Sequence, residues 1–317
     1  MKIVIFDADT VAGKELSLDP ITSLGESRVY DLVPPAQLID HIGDADVVLC
    51  NKANITEEIM DACPSIKMIG VFATGYNNID IKAAKKRGIP VCNVPGYSTE
   101  SVAQHAIALL LSLACNIGKY DRSVHEGQWV RSPQFTYFPY PLTLLSGKTL
   151  GIFGYGAIGR RVAEIGRALG MKILVSTRSP EKCKEETCVS RDELFSRSDA
   201  ITFHCPLTED TREIICRDTL RLMRSSAFLI NTARGGIMNE GDLAEALKNG
   251  VIAGAGIDVL TEEPMKEGNP LLLAPNLIIT PHIAWAPLET RQVVIDRVAE
   301  NVRAFLDKDP INVVNPL

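Results

Sequence analysis

The chain has 317 residues, enough for about two domains that each bury a core. Its content of 46% hydrophobic and 23% charged residues is that of a globular protein and excludes a disordered or fibrous chain. A formal charge of −6 and a pI near 5.5 argue against nucleic acid or an anionic membrane as partner, so positive charge for an anionic ligand has to be local.

Met1 to Asp7 reads as a first β-strand rather than as a secretory signal. Further β-rich runs follow at Val47–Cys50, Met68–Ala73 and Val91–Val94 after the first at Ile3–Phe6. Helical stretches at Ala36–Ile42, Thr56–Ala62 and Ile81–Arg87 separate them, the last stopped by Gly88. Such alternation predicts a doubly wound parallel sheet. A long helix is expected over Thr99–Gly118, capped by Ser98 or Thr99. Apolar residues surround it almost entirely, which predicts burial between domains or at a subunit interface. Its most apolar part, Ala106–Cys115, is shorter than the roughly 20 residues needed to cross a bilayer. The segment Trp129–Tyr140 concentrates aromatics and reads as a subunit arm or packing element, with a wall of the substrate site as the alternative.

The alternation then restarts. The apolar run Thr149–Phe153 leads into Gly154-Tyr155-Gly156-Ala157-Ile158-Gly159, a helical pattern, and a second apolar run at Ile173–Val175. A bare G-x-G-x-x-G is weak, but flanked by both strands and a helix it specifies a turn that lays a dinucleotide pyrophosphate on a helix N-terminus. Strands at Ala200–Phe203, Phe228–Asn231, Ala255–Val259 and Leu277–Thr280 and a helix at Gly241–Lys248 complete this second α/β domain. The last helix, Leu288–Leu306, has Val294, Val298 and Phe305 on one face and is expected to return to the N-terminal domain. The predicted fold is α/β, with two doubly wound, Rossmann-like parallel-sheet domains. The dinucleotide-binding domain, 100–285, is inserted into a flavodoxin-like substrate domain made of 1–99 and 286–317.

Arg234 follows the strand Phe228–Asn231, at the carboxyl edge where ligands sit in an open α/β sheet. Its guanidinium suits a carboxylate and a developing alkoxide. Of the five histidines, His41 and His125 lie in polar or exposed helices and His105 reads as a packing residue. His204 and His282 end strands. A histidine that exchanges a proton needs an orienting carboxylate, and Asp258, Glu262 and Glu263 all remain open for it. Where an NAD fingerprint places an acid on the ribose 2′-OH, this chain has Thr177, followed by Arg178 and Ser179. Hydroxyls and an arginine can bind a 2′-phosphate, so NADPH is expected to be favoured over NADH. The eight cysteines show no C-x-x-C and no His/Cys spacing typical of zinc. They read as reduced thiols of a cytoplasmic protein, with no metal expected.

Taken together, FATGYNNID (72–80), NVPGYSTESVAQHAIALLL (93–111), the glycine turn, HCPLTEDTR (204–212), LINTARGG (229–236), GIDVLTEEP (256–264) and TPHIAWA (280–286) resemble the D-isomer-specific 2-hydroxyacid dehydrogenases over nearly the whole chain. The branch of glycerate dehydrogenases, or hydroxypyruvate and glyoxylate reductases, is the most similar. The resemblance implies hydride transfer between NAD(P)H and C2 of a small 2-oxo or D-2-hydroxy acid, most simply hydroxypyruvate, glyoxylate or D-glycerate, in a homodimer. It implies His282 as proton donor, Glu263, before a proline, as its acid, and Arg234 as the substrate clamp. Asp258 matches the residue at the nicotinamide end. His204, Cys205, Pro206, Thr211, Thr232, Ala233 and Ala284 match further cofactor positions, with a structural role preferred for His204. Thr74 and Gly75 look like the cradle for the substrate carboxylate, Lys52 could add charge, and Trp285 could shape the pocket. Other specificities of the same family, and a corepressor-like nicotinamide sensor of the same fold, are the alternatives.

Overall fold

Two all-parallel sheets organise the chain, which a computed structural model describes over residues 1–183 and 186–316. The chain divides into two compact units, Met1–Ser98 with Trp285–Leu317, and Thr99–Ala284.

In the first unit the strands are β1 (Lys2–Ile5), β2 (Glu26–Val29), β3 (Val47–Cys50), β4 (Met68–Val71) and β5 (Val91–Cys92). They lie in the order β2-β1-β3-β4-β5. β3 and β4 are apolar at every position and wholly buried, as a parallel sheet covered on both faces requires. The two-residue period sorts their side chains. Val4, Val48, Cys50, Ile69 and Val71 pack with Ile59, Met60, Ala83 and Ala84 on one face. Ile3, Ile5, Val47, Leu49 and Met68 pack on the other with Val294, Ile295, Val298, Ala299 and Val302 of the helix Leu288–Leu306. Burying each such valine or isoleucine contributes about 1.5–3 kcal/mol. β2 is an addition to the predicted strands. It is an edge strand with polar Glu26, Ser27 and Arg28, so it lacks the apolar run that reveals the others.

The second sheet contains β6 (Thr149–Phe153), β7 (Lys172–Ser176), β8 (Thr187–Cys188), β9 (Ala200–Phe203), β10 (Phe228–Asn231), β11 (Gly254–Ile257) and β12 (Leu277–Ile279). Their order is β12-β11-β10-β9-β6-β7-β8. Chain order reverses beside β6, the switch point at which open α/β sheets bind ligands. The helix Thr99–Cys115 packs on this sheet, with Ala106, Ile107, Leu110 and Leu113 against Leu150, Ile152, Phe228 and Ile230.

Two expectations about that helix are corrected. It ends at Cys115, because Asn116 takes a left-handed conformation at φ 49°, and a second helix, Ile117–His125, starts at an angle of 56° to the first. Nor is it buried all round, since Gln104 and Ala108 are exposed. Among the described residues no single helix is long and apolar enough to cross a membrane. The bent pair passes that test only by length and composition, and its first member is a core helix of the second sheet.

Candidate active site

Three neighbouring strands of the second sheet, β10, β11 and β12, carry charged side chains just beyond their carboxyl ends. The register Asn231↔Ile257↔Ile279 aligns those ends, so the segments bearing Arg234, Glu263 and His282 leave the sheet along one edge.

Arg234 is exposed, and its loop is fixed from beneath by Asn231, which is fully buried. The Asn231 side chain accepts the Ala233 N–H at 3.0 Å and donates to the Arg234 carbonyl at 3.1 Å. Gly235 follows because a Cβ there would sit 1.8 Å from the Leu260 carbonyl carbon, so only glycine lets the two loops meet. Asn231 is a supporting residue, and no motif in the sequence gives it a role in the site. A polar residue ending an otherwise apolar strand was the available signal.

Of the three open carboxylates, Glu263 meets the histidine. Its Oε2 lies 2.6 Å from His282 Nδ1, while Oε1 accepts the Leu260 N–H at 2.9 Å. Glu262 instead pairs with Lys266. Asp258 is 1% exposed and turns its carboxylate inward, taking the Thr280 hydroxyl and the N–H groups of Ile283 and Ala284. His282 itself sits at φ 55°, a left-handed conformation that costs a non-glycine residue on the order of 1 kcal/mol. Its N–H donates to the Asp258 carbonyl at 2.8 Å and to the Thr280 carbonyl at 3.0 Å.

The other strand-end histidine is unlike it. His204 follows β9 and shares a 2.9 Å hydrogen bond with Thr202 Oγ1, and loss of hydration pushes its pKa down to about 3. Near neutral pH it is therefore an uncharged ring. The same loop carries the half-buried Cys205, whose thiol is pushed up to about 11 by desolvation. Thr211 braces this loop, its hydroxyl donating to the Pro206 carbonyl at 2.8 Å and accepting from Thr208 N–H.

The glycine turn has the form a pyrophosphate requires. Gly154 has φ 94°, and a Cβ on it would meet the His204 carbonyl at 2.6 Å. A Cβ on Gly159 would meet the Gly154 carbonyl oxygen at 2.2 Å, while Gly156 faces open space. The N-cap Gly156 has no side chain to cap the helix Ala157–Ala168 that follows it, so the first N–H groups of that helix suit a ligand position. Beyond β10, the buried Thr232 Oγ1 has no hydrogen-bond partner among the described residues, as expected of a hydroxyl that awaits a bound group. These residues fit a dinucleotide. Tyr155 donates its hydroxyl proton to Glu186 at 3.2 Å. After β7, Arg178 is exposed and Thr177 Oγ1 accepts the Ser179 N–H at 3.3 Å.

In the first unit, the loop after β3 is drawn together by Asp7, itself left-handed at φ 61°. One Asp7 oxygen accepts the N–H groups of Asn51, Lys52 and Ala53 at 2.7–3.0 Å, which sets the backbone at Lys52. Thr74 ties its hydroxyl to the Val94 carbonyl at 2.8 Å beside Gly75. Trp285 stands edge-to-face with Tyr97, the ring centroids 6.3 Å apart.

Comparison with known proteins adds an independent line. Residues 107–284 match the family model described as D-isomer specific 2-hydroxyacid dehydrogenase, NAD binding domain. The chain is 44% identical to a hydroxypyruvate reductase of Blautia hydrogenotrophica, covering 99% of this chain and 100% of that protein. It is 42% identical to a glycerate dehydrogenase of Methylorubrum extorquens, covering 88% of each. Among solved structures it is similar to an NADPH-dependent glyoxylate/hydroxypyruvate reductase from Sinorhizobium meliloti in complex with NADP and malonate. That match has a TM-score of 0.85 and 30% identity, covering 100% of this chain and 98% of the other.

Proposed function

The chain belongs to the D-isomer specific 2-hydroxyacid dehydrogenase family, and from that premise we propose that it reduces hydroxypyruvate or glyoxylate, or oxidises D-glycerate in reverse. It is an NAD(P)-dependent oxidoreductase of the CH–OH group. The observation that carries the site assignment is the 2.6 Å contact between Glu263 and His282, beyond the end of the strand next to the one that leads to Arg234.

When bound, the reduced nicotinamide supplies the hydride that C2 of the 2-oxo acid accepts. Arg234 holds the substrate carboxylate and polarises the C2 carbonyl, and its positive charge stabilises the oxyanion that develops there. His282 then gives that oxygen the proton from Nε2, the nitrogen turned away from Glu263. Glu263 accepts the Nδ1–H, which fixes the ring and leaves Nε2 for the reacting oxygen. His204 is a poor donor by comparison, because with a pKa near 3 it carries no spare proton at working pH. The Gly154–Gly159 turn and Thr232 serve the cofactor, and the family resemblance assigns Lys52, Thr74, Gly75 and Trp285 to the substrate.

NADPH is the preferred cofactor in this reading. Its support is the exposed Arg178 and the hydroxyl residues Thr177 and Ser179 where a discriminating carboxylate is absent. A homodimer is proposed from the apolar surface of residues 117–144, where Trp129, Val130, Phe135, Phe138 and Leu144 are all more than half exposed. A cytoplasmic location agrees with eight cysteines that are all free thiols.

The test is direct. Purified protein is mixed with NADPH or NADH and a panel of 2-oxo acids, and loss of the reduced-nicotinamide absorbance is followed. Turnover fastest with hydroxypyruvate or glyoxylate supports the proposal; turnover confined to bulkier 2-oxo acids, or none with any acid, overturns it.

A further inference from the structure

His282 occupies a backbone conformation that most side chains avoid, so something must hold it there. Asp258 supplies the inner restraint: its carbonyl accepts the His282 N–H, Oδ1 accepts the Ile283 N–H at 2.9 Å, and Oδ2 accepts the Ala284 N–H at 2.8 Å. The carboxylate therefore grips the loop on the side that follows His282. Its orientation is in turn fixed by Thr280, which donates its hydroxyl proton to Asp258 Oδ1 at 2.6 Å.

The chain of contacts continues one residue further. His105, in the middle of the helix Thr99–Cys115, places Nε2 at 2.9 Å from Thr280 Oγ1. A threonine hydroxyl has one proton, and Thr280 spends it on Asp258. Its oxygen must then accept from His105, which sets the His105 ring as the Nε2–H form. The same nitrogen lies 3.6 Å from Asp258 Oδ1, so the ring leans on the buried carboxylate as well.

We propose that His105 and Thr280 are positioning residues for the proton donor, forming a directed relay, His105 Nε2–H to Thr280 O–H to Asp258, that locks the left-handed loop of His282. The proposal rests on the reading of His282 as that donor. Without the Thr280 hydroxyl, Asp258 loses one of three donors to its carboxylate, and the His105 N–H loses its acceptor. The loop can then relax toward ordinary backbone angles, which moves the imidazole off line, and displacements of this kind are costly to turnover.

Steady-state kinetics with saturating NADPH and hydroxypyruvate, together with NADPH binding by fluorescence titration, test this on Thr280→Val, Thr280→Ser, His105→Leu, His105→Gln and the Leu/Val double variant. Thr280→Val is expected to lower kcat about tenfold with NADPH affinity unchanged, because the loss is one of alignment. His105→Leu lowers kcat less. Serine and glutamine, which keep the hydrogen bonds, restore it. The double variant is no worse than Thr280→Val alone, because both changes break one chain of bonds. Should Thr280→Val not fold, His105→Leu against His105→Gln makes the same comparison with Thr280 intact. Wild-type kcat in the Val and Leu variants, additive losses, or a parallel fall in NADPH affinity overturns the relay. With His282→Ala as reference, an inactive His282→Ala beside wild-type relay variants overturns the relay alone. Near-normal turnover in His282→Ala overturns the donor reading and the relay with it.

Discussion

The seven-stranded sheet has two halves of the same topology and opposite chemistry. Along β6, β7 and β9 the carboxyl edge offers mainly backbone: a glycine turn, a helix start, and a histidine kept neutral by desolvation, with the exposed Arg178 beyond β7 as its charged side chain. Along β10, β11 and β12 it offers charged side chains fixed by other polar groups, with Asn231 under Arg234, Glu263 on His282 and Asp258 under the His282 loop. Strand-end position alone does not distinguish His204 from His282; their surroundings do. The first half suits a ligand bound by its phosphates, which need N–H groups and space. The second suits a reaction in which charge appears and a proton moves.

If the halves divide the labour in this way, damage to the second should spare the first. His282→Ala is expected to lower turnover by about 10²–10⁴-fold, the usual contribution of a general acid–base group, while NADPH still binds. Kinetics and a fluorescence titration on the same preparation decide this. Equal losses in both would show that the two halves are not separable.

Glu263→Gln sharpens the same contrast on a smaller scale. Glutamine keeps only one of the two acceptors that Glu263 offers, so it cannot take both the His282 Nδ1–H and the Leu260 N–H, and it brings no negative charge beside the ring. A loss of about 10–100-fold in kcat is expected, with the Michaelis constant for hydroxypyruvate little changed. A loss that falls on the Michaelis constant would place Glu263 in substrate binding instead.

How far these halves could be read from sequence depended on what kind of signal each left. The glycine turn and the buried strands leave local patterns, and β3, β4, β9 and β10 were legible as apolar runs. The edge strand β2 was not, because half-exposed Glu26 to Val29 need no apolar pattern. Asn116 did carry a cue for the helix break, since asparagine is among the few residues that tolerate a left-handed turn. In the second half, residue types alone left Asp258, Glu262 and Glu263 equivalent candidates. Only the fold turns Asp258 inward and Glu262 toward Lys266. His105 read as a packing histidine because its partner, Thr280, lies 175 positions away in sequence.

Cofactor choice probes the first half. Thr177→Asp places a carboxylate where an NADPH 2′-phosphate is expected and an NAD ribose hydroxyl would be gripped. The ratio of kcat/KM for NADPH over NADH is expected to fall by about tenfold or more, mainly through loss of NADPH use. A wild type that already prefers NADH would show that Thr177, Arg178 and Ser179 do not face the ribose.

The last effect concerns His204 and appears in stability, with no change in turnover near neutral pH. Folding lowers its pKa from the ordinary 6.5 to about 3, because the ring loses hydration. Above pH 6.5 the ring is neutral in both folded and unfolded chains, and the protein has the full benefit. Between 6.5 and about 3 only the unfolded chain takes up the proton, so the folded state loses ground by up to about a factor of ten per pH unit from this group. His204→Asn cannot titrate and keeps a partner for Thr202 Oγ1. Its melting temperature should therefore fall less than that of wild type as the buffer is taken from pH 7 toward about 4. The difference between the two curves isolates this group from every other carboxylate and histidine that titrates in the range. Parallel curves would mean that the His204 ring is hydrated in solution, and the backbone-lined character of the first half would then rest on the glycine turn and the helix start that follows it.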